Sequence, residues 1–110
     1  MDVKSMRVIL KACAEDTRLR ILNLLNDGEL TVKKICQTLG ISQSVISKHL
    51  SRLRLLSMVT DERQGNLVYY RLTNTKGSFE HNIIGFLKGY FKQAKRMQED
   101  IKTLKKLRNK

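Results

Sequence analysis

Residues Thr31–Leu56, TVKKICQTLGISQSVISKHLSRLRLL, restrict the fold more than any other stretch of the chain. They read as a short helix, a tight turn at Gly40 and a longer helix opening at Ser42. Ile35, Leu39, Ile41, Val45, Ile46, Leu50 and Leu53 fall where two crossing helices bury a shared seam. Polar residues gather on the first two turns of the second helix, at Ser42, Gln43, Ser44, Ser47, Lys48 and His49. A helix that offers hydrogen-bonding side chains at its N-terminal end, braced by a preceding helix, suits entry into a DNA major groove.

The chain has 110 residues, enough for one domain with one modest core, and a net charge of +12. The charge is unevenly spread. Residues 1–30 carry five basic and five acidic side chains, residues 31–72 seven and two, and residues 73–110 ten and three. The excess thus begins with the helix-turn-helix stretch, which is the footprint of a polyanion binder. The opening MDVKSMRVILKACAED has an early Asp and interleaved charges, unlike a secretory signal, and no run is apolar enough to span a membrane. A cytoplasmic protein is expected. Cys13 and Cys36 are too few for a disulfide scaffold and are read as buried thiols.

The other elements frame that stretch. Val3, Met6, Ile9, Leu10 and Cys13 are spaced for a first helix ending near Ala14. Asp16 is the expected N-cap of a second, TRLRILNLLND, with Leu19, Ile21, Leu22 and Leu25 inward and Gly28 ending it. Thr31 is placed to cap the third helix, after a brief extended link at Glu29 and Leu30. Residues 59–72, VTDERQGNLVYYRL, are β-rich around a polar turn at Gly65-Asn66 and predict a hairpin with Arg63, Gln64 and Asn66 at its exposed tip. From Ser78 the pattern is helical for about thirty residues. Ile83, Leu87, Tyr90, Ala94, Met97, Ile101 and Leu104 step alternately by four and three, a heptad-like seam that a domain this small leaves for a partner. Gly85 and Gly89 share one face of it. The expected architecture is therefore mainly α with a small β-hairpin (α+β). One winged helix-turn-helix domain spans 1–110, with helix-turn-helix 31–56 and wing 59–72. Segments 1–15 and 78–110 form a homodimer, with Met6 and Leu10 joining the seam.

AEDTRLRILNLL, ELTVKKICQTLGISQSVISKHLSRLRLLSMV and DERQGNLVYYRL together resemble the arsenic-repressor-type (ArsR/SmtB) winged-helix regulators over residues from about 10 to 72. The resemblance implies a homodimeric repressor that binds operator DNA and releases it to an inducer. Three positions depart from the family pattern. Ser44 stands for a usual Pro, Glu15-Asp16 for Asp-Pro, and Ser57 for the Gly that follows the recognition helix. The last strains a turn that requires positive φ.

By this resemblance and by the chemistry of the residues, Gln43, Ser44, Ser47, Lys48 and His49 are candidates for base edges. Ser42 is expected to cap the helix or meet phosphate. Lys33, Lys34, Arg52 and Arg54 are expected on phosphates, and Arg63, with Gln64 beside it, at the minor groove or its flanks. His49 has a second possible role as a partly buried donor beside Leu50. One helix-turn-helix makes few base contacts, so two copies on a palindromic double-stranded operator are expected.

The family's commonest inducers are metals, and the matching ligands are largely missing. One family site uses clustered cysteines, where this chain has Thr31, Lys33 and Cys36. Another uses carboxylates and histidines of the C-terminal helices, where this chain has the adjacent Glu80 and His81, pointing to different helix faces. No metal site, no cofactor and no catalytic residue is expected. The chain lacks a Gly-rich phosphate loop, a nucleophile with a base and an apolar carboxylate pair, so an enzyme is not expected. The alternatives kept open are a thiol-redox or metal-responsive repressor using Cys13 and Cys36, and a winged-helix protein- or RNA-interaction module.

Overall fold

The computed structural model describes residues 1–109; Lys110, the end of the expected C-terminal helical segment, lies outside them. Six helices and three strands cover the described residues: α1 (Val3–Cys13), α2 (Asp16–Asn26), β1 (Leu30–Thr31), α3 (Val32–Leu39), α4 (Gln43–Leu55), β2 (Val59–Gln64), β3 (Leu67–Leu72), α5 (Phe79–Phe91) and α6 (Lys95–Arg108). The architecture is the expected α+β winged helix-turn-helix.

Helix α2 is the axle of the domain. Ile21, Leu22, Leu24 and Leu25 are all buried, and so is Asn23, so α2 is enclosed over most of its circumference rather than along one stripe. Leu19 is only half-buried, while Leu24, not anticipated, is fully enclosed. Helices α1, α4, α5 and α6 and strand β3 all pack on it. The cap also differs from expectation. Glu15, not Asp16, takes the N-cap position, its carboxylate accepting from the Thr17 and Arg18 amides at 3.1 and 2.9 Å. Position decides this: Asp16 is already the first residue of the helix, so the residue before it meets the first-turn donors. Partial burial pushes the Glu15 carboxyl up. The two amides, with the charges of His49 and Arg18, outweigh that effect and hold it below the usual carboxylate range.

The sheet is antiparallel in the order β1-β3-β2, with Leu30 opposite Tyr70 and Val59 opposite Leu72. The brief link at Leu30 thus becomes a third strand. Gly65 has φ +64° and Asn66 does not turn positive, the sign pattern of a type II′ hairpin turn that glycine accommodates without cost. Tyr70 and Leu72 pack on the core, whereas Leu67 is exposed near the tip.

The largest departure lies in the C-terminal segment. The single thirty-residue helix is broken at 92–94, where Ala94 is extended (φ −90°, ψ 120°), and α6 folds back onto α2 and α3 of the same chain. Arg20 clasps the buried Asp100 through two hydrogen bonds of 2.8 and 3.0 Å. Asn23 donates to the Met97 carbonyl at 3.0 Å, and Gln98 donates to the Lys92 carbonyl across the turn. Leu104 is fully buried, and Met97 and Ile101 are half-buried against the same core. The seam therefore does not continue past Tyr90 as one stripe. A straight helix would carry Leu104 and Asp100 into water and leave Arg20 unpaired.

Between α4 and β2, Ser57 is the one non-glycine at positive φ among the described residues (φ 60°). The left-handed conformation costs an ordinary residue about 1–2 kcal/mol. Ser57→Gly should therefore stabilise the protein by about 0.5–1 kcal/mol after glycine's extra chain entropy is deducted. The urea midpoint should rise with an unchanged m-value. Glu15 yields a second expectation. Its folded pKa lies below the reference 4.5, so its stabilisation is complete above that value and is lost as pH falls through the folded value. Glu15→Gln should cost about 1 kcal/mol at pH 7, and the gap from the parent should close in acid denaturation series. A gap constant down to the acid limb would remove Glu15 from the cap.

Candidate nucleic-acid interface

Thr31 sets the start of the helix-turn-helix, its hydroxyl accepting from the Lys34 amide at 3.2 Å. Helix α3 ends at Gly40, whose φ of 68° and ψ of 33° turn the chain in the left-handed region, with its amide on the Cys36 carbonyl at 2.9 Å. Ile41 then leads into α4. Ile46, Leu50 and Leu53, spaced i, i+4 and i+7, are completely buried and fix the rotation of α4 about its axis. Val45, expected in this seam, is 41% exposed. It lies about 100° around the helix from Ile46, outside the buried stripe.

That rotation decides which polar residues face water. Gln43, Ser44 and Lys48 are exposed on the outer surface of α4, and Ser47 is half-buried beside them. Ser42 has N-cap backbone geometry but does not cap; its hydroxyl lies 3.3 Å from that of Ser44. The expected cap is absent, so no side chain occupies the first-turn amides of α4. His49 turns inward, its side chain 19% exposed and its Nδ1 3.8 Å from the Glu15 carboxylate. Arg52 is exposed, and Arg54 lies 3.6 Å from Asp61, linking the end of α4 to β2. Lys33 is exposed and Lys34 half-buried at the start of α3. Arg63 and Gln64 are exposed at the end of β2, the latter with its amide 3.5 Å from Glu29. Arg71 pairs with Glu62 across the wing.

Two contacts here were not legible in the sequence. Glu15 and His49 join the cap of α2 to the recognition helix, and neither spacing nor motif connects residues on different helices. Arg54–Asp61 is a second such link, between residues that alternation and helical period place on separate elements.

The chemistry of a sensor is sparse. Both cysteines are free and half-buried. Burial pushes each thiol above its ordinary value, at Cys13 against the opposing charge of Arg18 and at Cys36 against its own backbone amide. Neither is activated toward the thiolate. Glu80 and His81 open into different clefts, one shared with α1 and the other with Arg71 and Lys88. Among the described residues, no three of His, Cys, Asp and Glu gather closely enough to hold a metal ion.

Residues 15–61 match the model of the bacterial regulatory protein, arsR family. The transcriptional repressor SdpR of Bacillus subtilis is 37% identical over 70 residues, 64% of this chain and 78% of SdpR. The transcriptional activator HlyU of Vibrio cholerae is 41% identical over 69 residues, 63% of this chain and 64% of HlyU, so the match spans just under two thirds of that relative. The reduced form of HlyU superposes with a TM-score of 0.66 at 36% identity, covering 76% of this chain and 85% of the HlyU chain. The homodimeric winged helix-turn-helix DNA-binding domain of Mb0332 from Mycobacterium bovis superposes with a TM-score of 0.68 at 28% identity, covering 78% of this chain and 77% of that one. No helix of the described residues is long and apolar enough to cross a membrane. The buried seam of α3 and α4, the wing behind it and these likenesses agree: the chain belongs to the arsR family, winged helix-turn-helix regulators of transcription that bind DNA.

Proposed function

We propose that the protein is a homodimeric repressor that holds a palindromic operator and lets it go to an inducer. The observation that carries this is the orientation of α4: three fully buried side chains lock the helix so that Gln43, Ser44 and Lys48 face outward together. Gln43 suits adenine, Lys48 the acceptors of guanine, and Ser44 and Ser47 adapt to either. Ser42, Lys33, Lys34 and Arg52 take phosphates, and Arg63 with Gln64 reaches the minor groove or its edge. His49 and Arg54 orient α4 through Glu15 and Asp61 and read no base. The reading requires no bond-making chemistry, so the protein is not an enzyme, and its place is the cytoplasm, where the DNA is.

The dimer face in this reading is formed by α1 and α5. Met6, Leu10, Phe86 and Tyr90 are exposed apolar side chains, with the Phe86 and Tyr90 rings 5.2 Å apart, and Ile83 and Leu87 are half-buried at its edge. Gly85 and Gly89 have open space above them, room for a second helix at close range. Ala94, Met97 and Ile101 fall outside this face, because α6 turns back into its own protomer. Support for pairing comes from the exposed apolar side chains of α1 and α5 and from the homodimeric relative.

In anisotropy titrations, Lys48→Ala should lower the ratio of operator to random-DNA affinity by about 10-fold, on the order of 1–3 kcal/mol. Lys33→Ala should weaken both DNAs alike and reduce the salt slope by about 1.8, one phosphate contact in each protomer at about 0.9 each. Equal losses from both variants on both DNAs would remove α4 as the reading helix. Phe86→Glu, at an exposed position, should leave the fold intact by circular dichroism and sediment as a monomer at micromolar concentration. A dimer unchanged by Phe86→Glu would place the interface elsewhere.

A further inference from the structure

Helices α1, α2 and α4 enclose a cleft of about 250 Å³ whose rim collects Arg7, Lys11, Arg18 and Arg52. Four cations converge there, although the first thirty residues are neutral overall. None of the four is in an ion pair among the described residues, whereas Arg20, Arg54, Arg71, Arg96 and Arg108 each have a carboxylate within 4 Å. Arg18 is held in place: its Nε donates to the Ala12 carbonyl at 2.8 Å, which closes the loop between α1 and α2 and leaves the outer edge of the guanidinium free. Glu15, at the cap of α2, offsets part of this charge through Arg18; the remaining excess of like charges carries a repulsion that an anion in the cleft reduces.

We propose that this cleft binds a backbone phosphate of DNA flanking the segment read by α4, so that α1 and the start of α2 are part of the nucleic-acid interface. The inference rests on the DNA-binding reading above. Its link to that reading is Arg52, which follows Lys48 by one helical turn on the same face of α4 and is itself part of the cleft. A phosphate lying against Arg52 meets Arg7, Lys11 and Arg18 next. The chemistry is charge-assisted donation from guanidinium groups to phosphate oxygens, which Arg geometry favours, and carries no base information. The contact therefore sets the affinity and angle of docking while leaving sequence preference to Gln43, Ser44 and Lys48.

The test compares the full chain with Arg7→Gln/Lys11→Gln, two exposed positions, after matching thermal melts show that both fold. Lys88→Gln, outside the cleft on α5, is the control. Binding to a selected duplex is followed by fluorescence anisotropy from 50 to 300 mM salt. The double variant should lower the slope of log affinity against log salt by about 1.8, one phosphate in the cleft of each protomer at about 0.9 each, with the ratio of operator to random affinity unchanged. Ethylation interference should lose one phosphate outside each half-site in the variant, and Lys88→Gln should match the parent. An unchanged slope and interference pattern in the double variant, with the parent binding and Lys48→Ala losing discrimination, would overturn the cleft and leave the DNA reading standing. A parent that binds no duplex would overturn both. If inorganic phosphate raises the melting temperature of the parent alone while the DNA slope is unchanged, the cleft holds a free anion and the assignment to DNA is wrong.

Discussion

The whole molecule depends on the burial of α2 from Ile21 to Leu25. A helix with Ile21, Leu22, Leu24 and Leu25 all buried must be covered by neighbours on most sides, and each neighbour does a different task. On one side α4 presents its polar row; on others β3 supports the wing, and α1 and α5 supply the apolar face. Displacing α2 moves all of them together. Each large side chain buried there contributes about 1.5–3 kcal/mol. One short rod thus holds the exposed polar row of α4 and the exposed apolar side chains of α1 and α5 in fixed relation.

Polar contacts then remove the freedom that apolar packing leaves. Hydrophobic burial is non-directional, and by itself would let α4 slide or roll by a few degrees. Glu15 facing His49 near the middle of α4, and Asp61 facing Arg54 at its end, touch the helix at two points from separate elements. Arg20 with Asp100 does the same for α6. Isolated surface ion pairs are worth little, but the Arg20–Asp100 pair is bidentate and its carboxylate is buried, so its contribution lies in geometry.

The helix-turn-helix was the most legible part of the chain because its signals are local. Thr31 caps, Gly40 turns, and the spacing of Ile46, Leu50 and Leu53 states which way α4 faces. The wing was legible for the same reason, from β-branched and aromatic residues around Gly65-Asn66. What the sequence hid was set by distant partners. Nothing at 92–94 announces a break: no Pro or Gly stands there, and the four-three rhythm of apolar residues runs through it unbroken. The fold-back is held by partners far away in sequence, Arg20 for Asp100 and the common core for Leu104. The placement of Glu15 as cap, of His49 turned inward and of the four cations around one cleft belong to the same class. Each depends on which helices become neighbours, which no local period records.

The return of α6 onto α2 has a consequence for how a protomer behaves alone. Had residues 79–108 formed one rod, their apolar stripe would have been completed only by another chain, and folding would have been inseparable from association. With Leu104, Phe91 and Asp100 already buried within one chain, the core is closed before a partner arrives. Association then brings together bodies whose cores are already closed, in contrast to obligate dimers with no folded monomer. A regulator built in this way can exchange partners, or be diluted along a chromosome, without unfolding between encounters.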